Sequence, residues 1–221
     1  MARTINPYRT VHKAHRARLF ALSTDAGRSE PTRQALHPLV DRAQQLITEL
    51  REHTGHEDRF VHPVLSACAP EIVEELEAQH EQLEPVFEQL TAAGVHIVSA
   101  QADDLTEAAH AFYLALSQVI SRYLAHLHTE ESLAWPALAR AAGDRDVASQ
   151  ITGAFHACMS ADFRLHEAAD RLPHISPHER IAVTADALAG APRAQHPHTL
   201  AFLTARLDAA AVEQLRAAFP A

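Results

Sequence analysis

Apolar residues recur at helical spacing along four long stretches of this chain. The first, about 8–24, places Val11, His15, Leu19 and Leu22 on one continuous face, and a Gly-Arg-Ser-Glu-Pro segment at 27–31 breaks it. The second, about 33–61, carries Leu39, Ala43, Leu46, Leu50, His53, Glu57 and Phe60 on its inner stripe and ends at Pro63. A third opens at Pro70, with Glu71, Glu74 and Glu75 suited to a helix N-terminus, and is expected to stop at Gly94. The fourth, about 103–134, has Asp103 or Asp104 as cap. Leu105, Phe112, Leu116, Val119, Tyr123, His126 and Glu130 face inward, and Pro136 marks its end or a kink.

Beyond residue 140 the pattern stays helical with more punctuation. One helix is expected over 145–171. Ser176-Pro177-His178-Glu179 is a capping-box start for a helix to about 189, and two short helices follow over 198–219. No stretch alternates as a strand does. The fold expected is all-α: an up-down-up-down four-helix bundle over 1–140, with additional C-terminal helices over 141–221 acting as a lid or an interaction lobe.

Composition narrows the function classes. A formal charge of −9 gives no electrostatic footprint for nucleic acid or anionic membrane. No window is apolar enough to span a bilayer, and the opening residues 1–7 lack the apolar run of a secretory signal. Cys68 and Cys158 form neither a disulfide framework nor a metal-binding C-x-x-C pair and read as small apolar fillers, so a cytoplasmic location is expected. Histidine is the outlier, at 17 residues. Several histidines sit beside prolines in expected loops (His37, His62, His174, His196, His198), so spacing rather than abundance must identify ligands.

Residues i and i+4 project from one helix face, so His-x-x-x-Glu offers an imidazole and a carboxylate to one cation. Three such pairs occur, His53/Glu57, His80/Glu84 and His126/Glu130, where chance alone supplies about one. The context is more specific. Residues 53–65 and 126–138 align without gaps as H-x-x-x-E-[DE]-x-x-x-x-P-x-L, and each block follows a helix bearing a core-side histidine, His15 or His80. In an up-down-up-down bundle the starts of helices one and three lie level with the ends of helices two and four. His15, His53, Glu57, His80, His126 and Glu130 then converge at one end of the core, as two half-sites for two metals. Imidazole and carboxylate without thiolate suit iron or manganese better than structural zinc. His12, His56 and His128 are expected on the solvent side or behind the ligands. Tyr123 is either a donor behind the ligands or a core tyrosine.

This arrangement resembles the hemerythrin-like (HHE cation-binding) family over about residues 8–140. The resemblance implies ligand roles for His15, His53, Glu57, His80 and His126. It gives Glu130 the closing bridging carboxylate, with Glu131 one position off, around two non-haem iron ions with an oxo or hydroxo bridge. The chain departs from the oxygen-carrying members at Glu84-Pro85, where they have a second histidine. Glu84 is thus either an extra ligand or turned away, and a reversible O₂ carrier is disfavoured. The function expected is binding of, or reaction with, a small oxidant: O₂, peroxide or nitric oxide. A catalase-like or oxygen-activating enzyme is one form of this. A non-catalytic oxygen or iron sensor or store is the alternative, and a purely structural metal bundle a third.

Overall fold

A computed structural model describes residues 6, 8–142 and 146–220. Residue 145, where a helix was expected to begin, and residues 1–5 and 7 of the opening segment lie outside the described residues. The chain is all-α: every regular element among the described residues is helical. It divides into two compact units, His15–Val147 on one hand, Met1–Ala14 with Ala148–Ala221 on the other.

The first of these is built on four long helices, α1 (Tyr8–Arg28) from His15 onward, α2 (Arg33–Phe60), α4 (Pro70–Ser99) and α5 (Leu105–Thr129), with the short α3 (His62–Ser66) and α6 (Trp135–Ala142). The inner stripes anticipated from periodicity form one apolar core that includes Leu19, Leu36, Leu50, Leu83, Phe87 and Phe112. Polar contacts set the relative directions. Arg18 donates to Glu49 at 2.7 Å and Arg42 to Asp25 at 2.7 Å, so α1 and α2 run antiparallel. Arg51 donates to Glu84 at 3.1 Å and Arg33 to the Val98 carbonyl at 3.1 Å, giving the same relation for α2 and α4.

Three helix boundaries differ from expectation. α4 continues through Gly94 to Ser99. Gly94 is buried on the inward stripe, and a Cβ there would stand 2.9 Å from Val40 Cγ1, so this glycine permits close approach of α2 rather than ending a helix. α5 starts at Leu105 after a 3₁₀ turn, and neither Asp103 nor Asp104 caps it with its side chain. The helix expected up to 171 is two, α7 (Val147–Cys158) and α8 (Ala161–Arg171), because Ser160 accepts the Phe163 N–H at 3.0 Å and starts a new helix. Cys68 and Cys158 are exposed, not buried fillers. Cys68 lies in the turn after α3, its N–H bonded to the Leu65 carbonyl at 3.0 Å, and Cys158 is the last residue of α7, so both sit at helix ends.

The second unit contains α8, α9 (Pro177–Ala189), α10 (His196–Thr204) and α11 (Ala209–Ala218) around a core of Ala168, Ala169, Leu172, Ile175, Leu203 and Leu215. The Ser176 capping box is present in both directions, with Glu179 accepting the Ser176 N–H at 2.9 Å. Glu179 also accepts from Lys13 at 2.7 Å.

Candidate metal centre

The HxxxE blocks place their side chains through helix geometry alone. His53 and Glu57 sit one turn apart near the end of α2, with His53 Nε2 2.9 Å from Glu57 Oε1. His126 and Glu130 repeat this at the end of α5, Nε2 to Oε2 at 3.4 Å. Each helix is then interrupted before its proline. After Glu57 the break falls at Val61, and Pro63 enters the first turn of α3. After Glu130 the chain makes a π turn over Glu130–Ala134, in which the Trp135 N–H reaches back five residues to the Glu130 carbonyl. One turn away along each helix lie Leu19, Leu50, Leu83 and Tyr123, none more than 2 % exposed. The polar cluster therefore caps one end of the apolar core.

Glu57 is central. Its Oε1 faces His53, while its Oε2 lies 3.6 Å from His80 Nε2 and 3.6 Å from His126 Nε2. Glu57, His80 and His126 form one group whose ligand atoms all come within 4.8 Å of one another, and His53, Glu57 and Glu130 belong to another. A single carboxylate thus faces two sets of imidazoles with its two oxygens.

Neighbouring groups set the histidine tautomers. The Gln79 amide nitrogen donates to Thr129 at 3.1 Å and to Glu75 at 3.1 Å, so its oxygen is turned to accept from His126 Nδ1 at 3.3 Å. Asp58 Oδ1 likewise accepts from His80 Nδ1 at 2.9 Å. Both arrangements turn an Nε2 lone pair toward Glu57, and the two Nε2 atoms are only 3.3 Å apart. Lone pairs and carboxylate oxygens at this separation repel unless a proton or a cation lies among them.

Metal-free, protons meet that demand. Burial, then the adjacent Glu57 carboxylate, push Glu130 well above the ordinary carboxylate range, and Glu131 adds to this while Arg16 opposes it. Burial works against a charged His80, but Glu57 and Asp58 outweigh it and raise its pKa. His126 goes the other way: burial dominates and lowers it. A donor set that must borrow protons to settle its own repulsion fits a cation.

A family model, the hemerythrin HHE cation binding domain, matches residues 3–138. The chain belongs to this family. No curated protein and no solved structure matches it. Cation binding is the property the family name carries, and the His/Glu groups of this hemerythrin-like chain are ones that could hold a metal ion. No described helix is long and apolar enough to cross a membrane.

Of the residues singled out in the sequence, His53, Glu57, His80, His126 and Glu130 are brought together. His15 lies beside them: its ring meets the His53 ring edge-on at 4.7 Å, and the Tyr123 hydroxyl is 2.9 Å from its Nδ1. Tyr123 is fully buried, and burial with the Glu57 and Glu130 carboxylates raises its pKa well above the usual value, so it keeps its proton. Glu131 turns outward from the cluster to a two-point pair with Arg16, at 2.7 and 3.1 Å.

Glu84 does not join. Its side chain is 49 % exposed and pairs with Arg51. On α4 the inward stripe steps from Leu76 through His80 to Leu83 and Phe87, which leaves Glu84 on the flank despite its i+4 spacing. Several histidines depart from their expected places: His196 and His198, expected in loops, are helical in α10. His37, beside Pro38, is helical within α2. His12, expected on the solvent side or behind the ligands, is fully buried in α1, which rules out the solvent side. His62, expected in a loop, is 4 % exposed and stacks on His80 with ring centroids 5.4 Å apart. Proline at the second position of a helix is compatible with a helix start, and that signal was available at His62-Pro63.

Proposed function

We propose that this chain is a cytoplasmic non-haem di-iron protein that binds or reacts with a small oxidant: O₂, peroxide or nitric oxide. The observation that carries the reading is Glu57, buried to 2 % exposure, with one oxygen toward His53 and the other toward His80 and His126. Glu130, fully buried, adds a second carboxylate beside it. Two shared carboxylates among imidazoles, with no thiolate, suit two divalent ions of the iron or manganese type.

His53, His80, His126, Glu57 and Glu130 would hold the ions, with His15 adjacent. Two iron ions would supply one- and two-electron exchange with a small oxidant. The protein's own part is electrostatic and steric. Glu57 and Glu130 offset cation charge within a low-dielectric core. Gln79 and Asp58 fix the ring orientations of His126 and His80. Tyr123 keeps a proton next to His15. With Glu84 drawn off to Arg51, the third helix contributes one imidazole, so the centre is poorer in imidazole than an oxygen carrier's, which favours reaction over reversible carriage.

The C-terminal extension, 141–221, is proposed as a separate functional segment. Its own apolar core favours a second reading, in which the metal centre senses an oxidant or iron and the extension carries the output. Metal analysis of the purified full chain tests the main reading: about two irons per chain are expected, and zinc alone or no metal refutes it. Peroxide consumption that disappears in Glu57→Ala separates turnover from sensing, for which a stable adduct without turnover is expected.

A further inference from the structure

The di-iron reading rests on His80 through Nε2 and gives His62 no role. His62 is 4 % exposed, and among the described residues neither ring nitrogen has a hydrogen-bond partner, although Nδ1 stands 3.2 Å from Asp58 Oδ1. A buried imidazole with both nitrogens unsatisfied is costly unless a ligand is intended for one of them. Asp58 Oδ1 is also 2.9 Å from His80 Nδ1. The three residues therefore bring one oxygen and two nitrogens together, all within 4.8 Å of one another. Asp58 is 53 % exposed, so the group opens to solvent while Glu57 and Glu130 do not.

We propose that Asp58, His62 and His80 form an outer divalent-cation site, distinct from the buried centre and sharing His80 with it. Two imidazole nitrogens and a carboxylate oxygen, with water completing the shell, form an open three-ligand set suited to zinc, cobalt(II) or iron(II). The shared ring sets the site's strength. A neutral imidazole offers one lone pair, so an ion on Nδ1 while another occupies Nε2 requires the ring to release its remaining proton. The outer ion is accordingly weaker and more exchangeable than the inner ones, as befits a position where an incoming cation first docks.

The test is a zinc titration of the full chain, read as bound equivalents by equilibrium dialysis, in wild type, Asp58→Asn and His62→Gln. Wild type is expected to take one equivalent more than His62→Gln, and Asp58→Asn to bind that equivalent at least tenfold more weakly. Tightly held equivalents should stay unchanged in His62→Gln, because His62 is not one of the inner ligands. Equal stoichiometry and affinity in all three proteins overturns the proposal. So does loss of more than one equivalent in His62→Gln, which would place that ring in the inner centre. Should His62→Gln fail to fold, the affinity of the weak equivalent in Asp58→Asn, a change at a half-exposed side chain, decides the matter. The one-equivalent difference is read whichever metal the inner centre takes, or none, so this proposal and the di-iron reading fail separately.

Discussion

Replacing Glu130 with glutamine should act in opposite directions on the metal-free and metal-loaded protein. Glu130 is fully buried, and burial together with Glu57 raises its pKa well above the reference value of 4.5. The native state then holds a proton that the unfolded chain releases, so metal-free stability falls as pH rises above about 4.5 toward the folded value. Glutamine keeps the shape and removes the charge. It should stabilise the metal-free chain at pH 7.5 by about 1–3 kcal/mol, the scale for relieving a buried charge that its surroundings disfavour. The same change flattens the pH dependence between 5 and 7.5. With iron(II) present the order reverses. Wild type gains about 2.7 kcal/mol at a hundredfold excess over Kd, or roughly 5–10 °C in Tm at 2–4 °C per kcal/mol for a chain of this size. The variant forfeits most of that gain, because an amide does not offset cation charge. Trp135, the only tryptophan, follows the π turn that begins at Glu130 and reports the melt by fluorescence. A variant less stable than wild type without metal at pH 7.5, or one that keeps the full metal-dependent gain, would refute the electrostatic argument.

Two further predictions concern the scaffold. Gly94→Ala gains about 1 kcal/mol in helix propensity but drives a Cβ to 2.9 Å from the stiff, buried Val40. Overpacking of that kind costs about 1–3 kcal/mol, so urea melts should show net destabilisation of about 1 kcal/mol, changing sign in a Val40→Ala background. In the second unit burial raises the Glu179 pKa, but hydrogen bonds from Lys13 and from the Ser176 N–H and hydroxyl outweigh it and hold the carboxyl at about 2. A depressed carboxylate contributes its stability above pH 4.5 and loses it as pH falls through about 2. Because Lys13 and Arg9 are exposed and screened, Glu179→Gln should cost about 1–2 kcal/mol at pH 7, read as faster hydrogen exchange in α9, with the difference from wild type vanishing near pH 2.

What could be read from the sequence was whatever depends on repetition along one helix. The stripes of α2 and α5, from Leu50 to Glu57 and from Tyr123 to Glu130, continue the core period without a skip, so their i+4 pairs point where periodicity places them. The same i+4 spacing misleads at His80/Glu84, because there the stripe advances by three to Leu83, and only the neighbouring Arg51 decides where Glu84 goes. Gly94 misled for a related reason: a stop signal and a close-approach site are one letter, distinguished only by Val40 on another helix. Asp58 and His62 do stand at i and i+4, but His62 is beside Pro63 in an expected loop and their common partner, His80, lies on a different element, so the spacing alone did not mark them.

The two HxxxE blocks share a pattern but not an outcome, and the difference lies in how each helix meets its proline. Pro63 and Pro136 both remove an N–H that an unbroken α-helix would use. The second block absorbs the loss within the helix, by widening one turn over Glu130–Ala134. In the first, α2 ends and α3 begins at His62, which brings that ring against His80. The residue in the matching place of the second block is Trp135, which has no ligand atom to offer a cation. A duplicated motif thus yields paired carboxylates, Glu57 and Glu130, through its common part, and an extra imidazole through the part where its copies diverge. His80, engaged by Glu57 through one nitrogen and by Asp58 through the other, is where the two consequences meet. Replacing it should therefore disturb both the inner and the outer positions, whereas His62→Gln should disturb only the outer.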